Sequence, residues 1–207
     1  MRPTNIIRTI AAVALLTAPA AVSAQGRGMS RPAAPAPTSD RSGYSVSLGL
    51  GGASTALTDG SGSASDRENG ASGYLRIGKG FTPSMMFGVE LNGWNKSENN
   101  ATARTGMLSV IGQWYPSMTN GFFAKAGVGM GRTTLDDNTA PASKFEATGL
   151  GGQFGVGYDM SIARRWSITP YVNYLATKGA TLKIDGNDTN QKMGANYVQY
   201  GLGLSWH

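Results

Sequence analysis

The chain has no cysteine and a single histidine, His207. Without cysteine there is no disulfide, no thiol nucleophile and no lipid-modified cysteine, so any attachment to a membrane has to come from the fold. Long apolar runs are also missing. Beyond the N-terminal region, Gly, Ser, Lys or Glu interrupts every hydrophobic stretch within a few residues, whereas a transmembrane helix needs about 20 apolar residues. Dense basic clusters are absent as well, which argues against a nucleic-acid binder. What the chain has in abundance is glycine, 30 in 207 residues. Glycine is poor in helices and useful at turns and on crowded walls, so a helical bundle is excluded too.

The first residues carry Arg2 and Arg8, then the short apolar run Ile10 to Leu16, then small residues at Val22 and Ala24. This is the pattern of a secretory signal peptide over 1–24, cut after Ala24; the run is too short for an uncleaved membrane anchor. Removing Arg2 and Arg8 lowers the formal net charge from +6 to about +4, mildly basic. Residues 25–43 follow, with Pro32, Pro35 and Pro37 among Arg27, Arg31 and Arg41 and no apolar periodicity. They read as a disordered periplasmic leader, a spacer in preference to an anionic-surface tether.

From Tyr44 the hydrophobic pattern takes a period of two, the signature of strands with one apolar face. Strand one runs Tyr44 to Leu50. Strand two places Ala71, Leu75, Ile77 and Phe81 opposite Tyr74, Arg76 and Gly78, and strand three places Met85, Phe87, Val89 and Leu91 opposite Met86, Gly88, Glu90 and Asn92. Strand four sets Leu108, Val110 and Trp114 against Met107, Ser109, Ile111 and Gln113; strand five sets Phe122, Val128 and Met130 against Phe123, Lys125 and Gly129. Strands six (Thr148 to Tyr158) and seven (Trp166 to Tyr174) continue the alternation, and the last strand shows Val198, Tyr200, Leu202, Leu204 and Trp206 on one face and Gln199, Gly201, Gly203 and Ser205 on the other. Connections alternate long and short: polar loops at 53–69, 95–103, 133–144 and 178–195, tight links between. Eight strands of roughly 9–11 residues joined in this way fit an up-and-down transmembrane β-barrel over 44–207, long loops outside the cell. A final strand that ends the chain needs a partner early in the sequence, and closure provides one.

Period two alone also fits a soluble barrel or sandwich. Aromatics at strand ends favour lipid outside: Phe81, Trp114, Tyr115, Phe122, Tyr158, Trp166 and Trp206 are expected to form an interfacial girdle. The polar face carries Arg76, Glu90, Gln113, Lys125, Gln153 and Gln199 in mid-strand, too many for one solvated sandwich face whose loops are already polar, and its glycines suit a narrow lumen. Pro170 resists closure, since a barrel has no free edge for a residue lacking an N–H; a bulge there, or a strand starting after it, is expected.

The signal peptide, the segment Gly155-Val-Gly157-Tyr-Asp159 through Trp166-Ser-Ile-Thr-Pro170-Tyr-Val-Asn-Tyr174, and the closing strand together resemble the small outer-membrane β-barrel family of the OmpA transmembrane domain and OmpX. The resemblance covers 44–207 and implies architecture and a bacterial outer-membrane location. It also implies that Val198, Tyr200, Leu202, Leu204 and Trp206 are the signal read by the barrel-assembly machinery, with His207 as an extra residue. Lipid neighbours would be phospholipid and lipopolysaccharide, and a monomer with no cofactor is expected.

Chemistry is sparse. Lipid-modifying enzymes on such barrels pair a base with a nucleophile; here His207 and the Ser-rich loop Ser61 to Ser65 fall at opposite ends, so no enzyme is expected. Asp185-Gly-Asn187-Asp188 lacks the spacing of an EF-hand calcium loop and is ordinary turn chemistry. The Arg164-Arg165 turn is expected to meet inner-leaflet phosphates. Arg76, Glu90 and Lys125 are the one polar constellation, a charge network in the lumen. Unpaired burial would be costly, so they are expected to plug the barrel, whose eight strands leave room only for side chains; the alternative is a gate in a narrow passive pore. The expected role is therefore structural or surface-interacting, through the four long loops.

Overall fold

The computed structural model describes residues 41–58, 65–98, 101–137, 143–184 and 187–207. The signal peptide, the leader up to residue 40, most of the Ser61–Ser65 loop, and Asp185 with Gly186 lie outside the described residues. The strands are β1 (Gly43–Thr58), β2 (Glu68–Thr82), β3 (Met85–Glu98), β4 (Ala101–Trp114), β5 (Phe122–Asp137), β6 (Ser143–Tyr158), β7 (Met160–Ala163), β8 (Trp166–Ile184) and β9 (Asn187–Trp206). Each pairs antiparallel with its sequence neighbour, except that β6 and β7 are successive pieces of one wall strand, both paired with β8. The ring closes where β9 meets β1, Trp206 opposite Val46 and Leu202 opposite Leu50. The result is an all-β, eight-stranded, closed antiparallel barrel.

Alternation decides the two faces. Leu50, Val128 and Leu150 are 68%, 72% and 74% exposed, and the other outward residues of the apolar band, among them Leu48, Ile77, Val89, Leu108 and Leu202, are exposed as well. The intervening positions, Ser47, Arg76, Glu90, Ser109, Lys125, Gln153, Asn173 and Gln199, are buried inside. Such an apolar exterior around a polar interior is the pattern of a barrel solvated by lipid.

Three details depart from expectation. Tyr115 is not part of the girdle: it is 1% exposed, inside the short-turn end. Trp114 faces out, and the chain keeps alternating for one residue past β4, so the next ring faces in. Phe81, Trp114, Phe122, Tyr158 and Trp166 do lie on the outer surface, with Trp166 opposite the half-buried Trp206.

The strands are also longer than the apolar alternation. Their outer ends continue through the polar stretches, Ser54 opposite Asn69, Lys96 opposite Ala103 and Asp136 opposite Lys144, leaving residues 59–67, 99–100, 138–142 and 185–186 as the connections. Four long loops are thus mostly a raised rim of sheet. Polar pairing holds it: Lys96 lies 3.2 Å from Glu68 and 2.7 Å from Glu98, Arg132 lies 2.6 Å from Glu146, and Arg67 donates to Ser54 and Asn196. Exposed pairs contribute little singly, but water at this level needs no apolar face.

Pro170 sits within β8 with no register shift against β9, where it faces Leu202, and β8 begins before it, at Trp166. There is neither a bulge there nor a late start. Instead the ladder lapses across from it, where β6 gives way to β7 at Asp159. The missing N–H is accommodated in that gap, and the Asp159 N–H bonds to the Gly121 carbonyl at 2.9 Å.

Candidate functional site in the barrel lumen

Inward positions of β2, β3 and β5 bring the three charges together: Arg76 faces Glu90 in register, and Lys125 reaches Glu90 past β4. The Lys125 ammonium lies 2.6 Å from both Glu90 oxygens, and Arg76 Nε lies 3.2 Å from Oε2. The Arg76 contact is an ion pair without hydrogen-bond alignment at Nε. Asn92 Nδ2 donates to Glu90 Oε1 at 3.0 Å and to Gln153 Oε1 at 2.9 Å. All three charged side chains are at most 3% exposed, so solvent does not screen them and the carboxylate must serve two cations.

From Arg76 the polar contacts run towards the short-turn end. Its guanidinium donates to Gln113 and, at 3.1 Å, to the Tyr74 hydroxyl. Gln113 Nε2 donates to the Tyr115 hydroxyl at 2.5 Å, and that hydroxyl donates to Asp159 Oδ2 at 2.7 Å. Thr169 donates to Asp159 Oδ1 at 2.7 Å and lies 3.1 Å from the Ser205 hydroxyl. Tyr115 is what joins these groups, which explains why it faces in. Arg41 lies over the Tyr115 ring at 4.0 Å and donates to the Asn120 carbonyl at 2.7 Å. Arg41, which falls in the expected leader, is therefore packed into the barrel end.

Towards the rim the lumen turns apolar. Ala53, Trp94, Met107, Leu175 and Tyr197 form a buried cluster, and above it a hollow of about 240 Å³ is lined by Leu57, Leu135, Phe145 and Met193. Sequence reasoning assigned Met107 to the inner face without seeing this cap; the signal was the run of large apolar residues at inward positions near the outer strand ends.

His207 packs at the short-turn end, its Nε2 4.0 Å from Asp159 Oδ2. Burial lowers its pKa, Asp159 raises it, and Arg41 and Arg76 lower it further. Neither ring nitrogen has a hydrogen-bond partner among the described residues, so no hydroxyl is paired with this base as a nucleophile requires. No cluster of candidate metal ligands occurs among the described residues. In the closing strand, Tyr200, Leu202 and Leu204 face out and Gln199 in, its Nε2 donating to the Gly73 carbonyl at 3.0 Å.

The family model for the autotransporter β-domain matches residues 51–186, from the outer half of β1 into the β8–β9 connection. The chain belongs to the autotransporter β-domain family. Among solved structures it is similar to the outer-membrane protein OprG of Pseudomonas aeruginosa, at 17% identity and TM-score 0.50 over 81% of this chain and 97% of that one. It is also similar to Neisserial surface protein A (13%, TM-score 0.49, 80% and 97%) and to Ail, the attachment invasion locus protein of Yersinia pestis (11%, TM-score 0.47, 78% and 99%). No curated protein matches the chain. With family and fold in agreement, this is a small β-barrel protein of the bacterial outer membrane.

Proposed function

We propose that this barrel is plugged and non-enzymatic, and serves envelope integrity or surface interaction through its raised rim. The observation that carries the reading is Glu90 held between Lys125 and Arg76 with all three side chains shut from solvent. Moving an ion past them would require breaking a buried ion pair, which costs about 3–5 kcal/mol. The apolar cap of Trp94, Met107, Leu175 and Tyr197 lies above as a second stopper. Phospholipid and lipopolysaccharide would surround the apolar band, the barrel standing as a monomer, and Val198, Tyr200, Leu202, Leu204 and Trp206 would be presented to the barrel-assembly machinery before β9 closes on β1.

One observation favours the narrow pore instead. Asn92 Oδ1, Asn173 Oδ1, Gln153 Nε2 and Tyr171 Oη are buried without hydrogen-bond partners among the described residues, and such groups commonly hold water. Planar-bilayer recording separates the readings. The plug predicts a silent bilayer for the native protein; steady native conductance that Glu90→Ala abolishes or enlarges would refute it.

A further inference from the structure

At the short-turn end the inward side chains of β1, β8 and β9 are small: Ser45, Ser167 and Ser205. Side chains of that size cannot close a barrel mouth, yet all three are buried, so something lies across it. Part of that cover is the chain just ahead of β1. Gly43 has a φ of 121°, a region that residues with a side chain disfavour, and there the backbone turns off the wall. It passes over the lumen side of β2, where a methyl group on Gly80 would run into the Arg41 carbonyl. The Arg41 side chain then reaches across to β4. Its guanidinium lies 4.0 Å from the centre of the Tyr115 ring and donates to the Asn120 carbonyl, between β4 and β5, at 2.7 Å. Arg41 is 7% exposed, so both contacts are shielded from water.

We propose that residues 41–43 are a strap that shuts the short-turn mouth of the barrel, with Arg41 as its latch. A guanidinium stacked on an aromatic ring and held by one charge-assisted hydrogen bond is strong while dry and weak once water reaches it. The latch is therefore either closed or open, with little between. Gly43 supplies the pivot, and Gly80 leaves the notch in which the strap backbone lies. Behind the strap stand Tyr115, Asp159, Thr169 and Ser205, whose hydrogen bonds to one another meet water only when it opens. Access to this end of the lumen then depends on the chain that leads into Arg41. A pull on that chain frees the latch without disturbing the sheet, because Gly43 is the first residue of β1. The inference does not depend on whether the network around Glu90 seals the lumen further in.

The chain has no cysteine, so one introduced thiol reports on the mouth alone. The reporter is Ser45→Cys, on β1 just behind the strap and buried. The full chain is refolded in maltoside micelles and its labelling by methyl methanethiosulfonate is timed, with the urea-unfolded chain giving the rate of an open thiol. The reagent is uncharged, so removing the Arg41 charge does not itself draw it in. The strap expects slow labelling with Arg41 in place. Labelling should be at least about tenfold faster in Arg41→Ala, which loses a cation–π contact and a charge-assisted hydrogen bond together. Gly43→Ala, whose added carbon meets nothing within 4 Å, should also speed labelling, through the backbone angle alone. An unchanged rate in Arg41→Ala overturns the proposal, as does labelling with Arg41 in place that matches the unfolded chain. Ser109→Cys, level with Glu90 in the sheet, distinguishes an opened mouth from a loosened barrel. An equal acceleration there in Arg41→Ala would mean general loosening and would also overturn the strap. Heat-modifiable migration on a gel confirms that each variant is folded; where Ser45→Cys is not, Ser205→Cys at the same end takes its place.

Discussion

Replacing Glu90 by Gln keeps the size of the side chain and removes the charge that Lys125 and Arg76 share. The contacts are 2.6 Å and 3.2 Å, which at an effective dielectric near 20 correspond to roughly 5–6 kcal/mol of Coulomb attraction each. Desolvation of the three ions offsets most of this. What remains after the change is two buried cations facing each other without a counter-ion, and breaking one partner out of such a group costs about 3–5 kcal/mol. Equilibrium urea unfolding in phosphatidylcholine vesicles, followed by tryptophan fluorescence, should show a loss of that size. The double variant Glu90→Gln/Lys125→Met should recover part of it, since one stranded cation is gone; a coupling of about 1–3 kcal/mol is expected for residues in direct contact. A loss below about 1 kcal/mol, the value of an exposed pair, would mean that water reaches the network and that the lumen is not sealed. That result would refute the plug on thermodynamic grounds, independently of conductance.

Three further outcomes are expected. Tyr115→Phe deletes the hydroxyl between Gln113 and Asp159, so unfolding should be easier by about 1–3 kcal/mol, a loss that an outward girdle residue would not show. Gly129→Ala would drive a methyl group into the Leu108 carbonyl of β4, whereas Gly93→Ala meets nothing within 4 Å; folding yield judged by heat-modifiable migration should fall for the first and not for the second. Burial holds the His207 pKa below its ordinary value in the folded state. Between that depressed value and about 6.5 the unfolded chain binds the extra proton, so stability should fall as pH drops through this window and stay level above it. His207→Gln should flatten the urea midpoint over the same range; an unchanged slope would show that another group is responsible.

The barrel was legible because lipid outside and a packed polar lumen inside force every residue of a spanning strand to one side or the other. Leu48 and Leu50 read as outward and Ser47 as inward, and their partners in β9, Leu204, Leu202 and Ser205, match them. Legibility stopped where that force stops. Beyond the band the outer face of a strand meets water and no longer has to be apolar, so Ser54, Lys96 and Asp136 lose the alternation while the backbone ladder carries on, and polar composition was mistaken for loop. Tyr115 failed for a different reason: aromatic identity near a turn was weighed above parity, and counting one residue on from Trp114 would have placed it inside. The Asp159 cluster was out of reach, since nothing in the spacing of Gln113, Tyr115, Asp159, Thr169 and Ser205 shows that four separate strands converge there.

The distribution of inward glycines bears on whether such a lumen can open. They lie on β5 and β6, at Gly127, Gly129, Gly131, Gly151, Gly155 and Gly157, and also on β1, β2 and β9, at Gly49, Gly78 and Gly203, where the inward Tyr74 and Met86 side chains fill the space. A bare backbone wall could be read as one side of a water lane. The neighbours show otherwise: a methyl group at Gly155 would run into Asn173 and Lys125, one at Gly157 into Phe123, and one at Gly151 into Thr177 and Met107. The absent side chains are the space that the opposing ones fill. An open state would therefore need Lys125, Phe123 and Met107 to leave these notches together, and Lys125 to leave Glu90 at the same time. The glycines that make the interior look permeable in sequence are what allow it to pack shut.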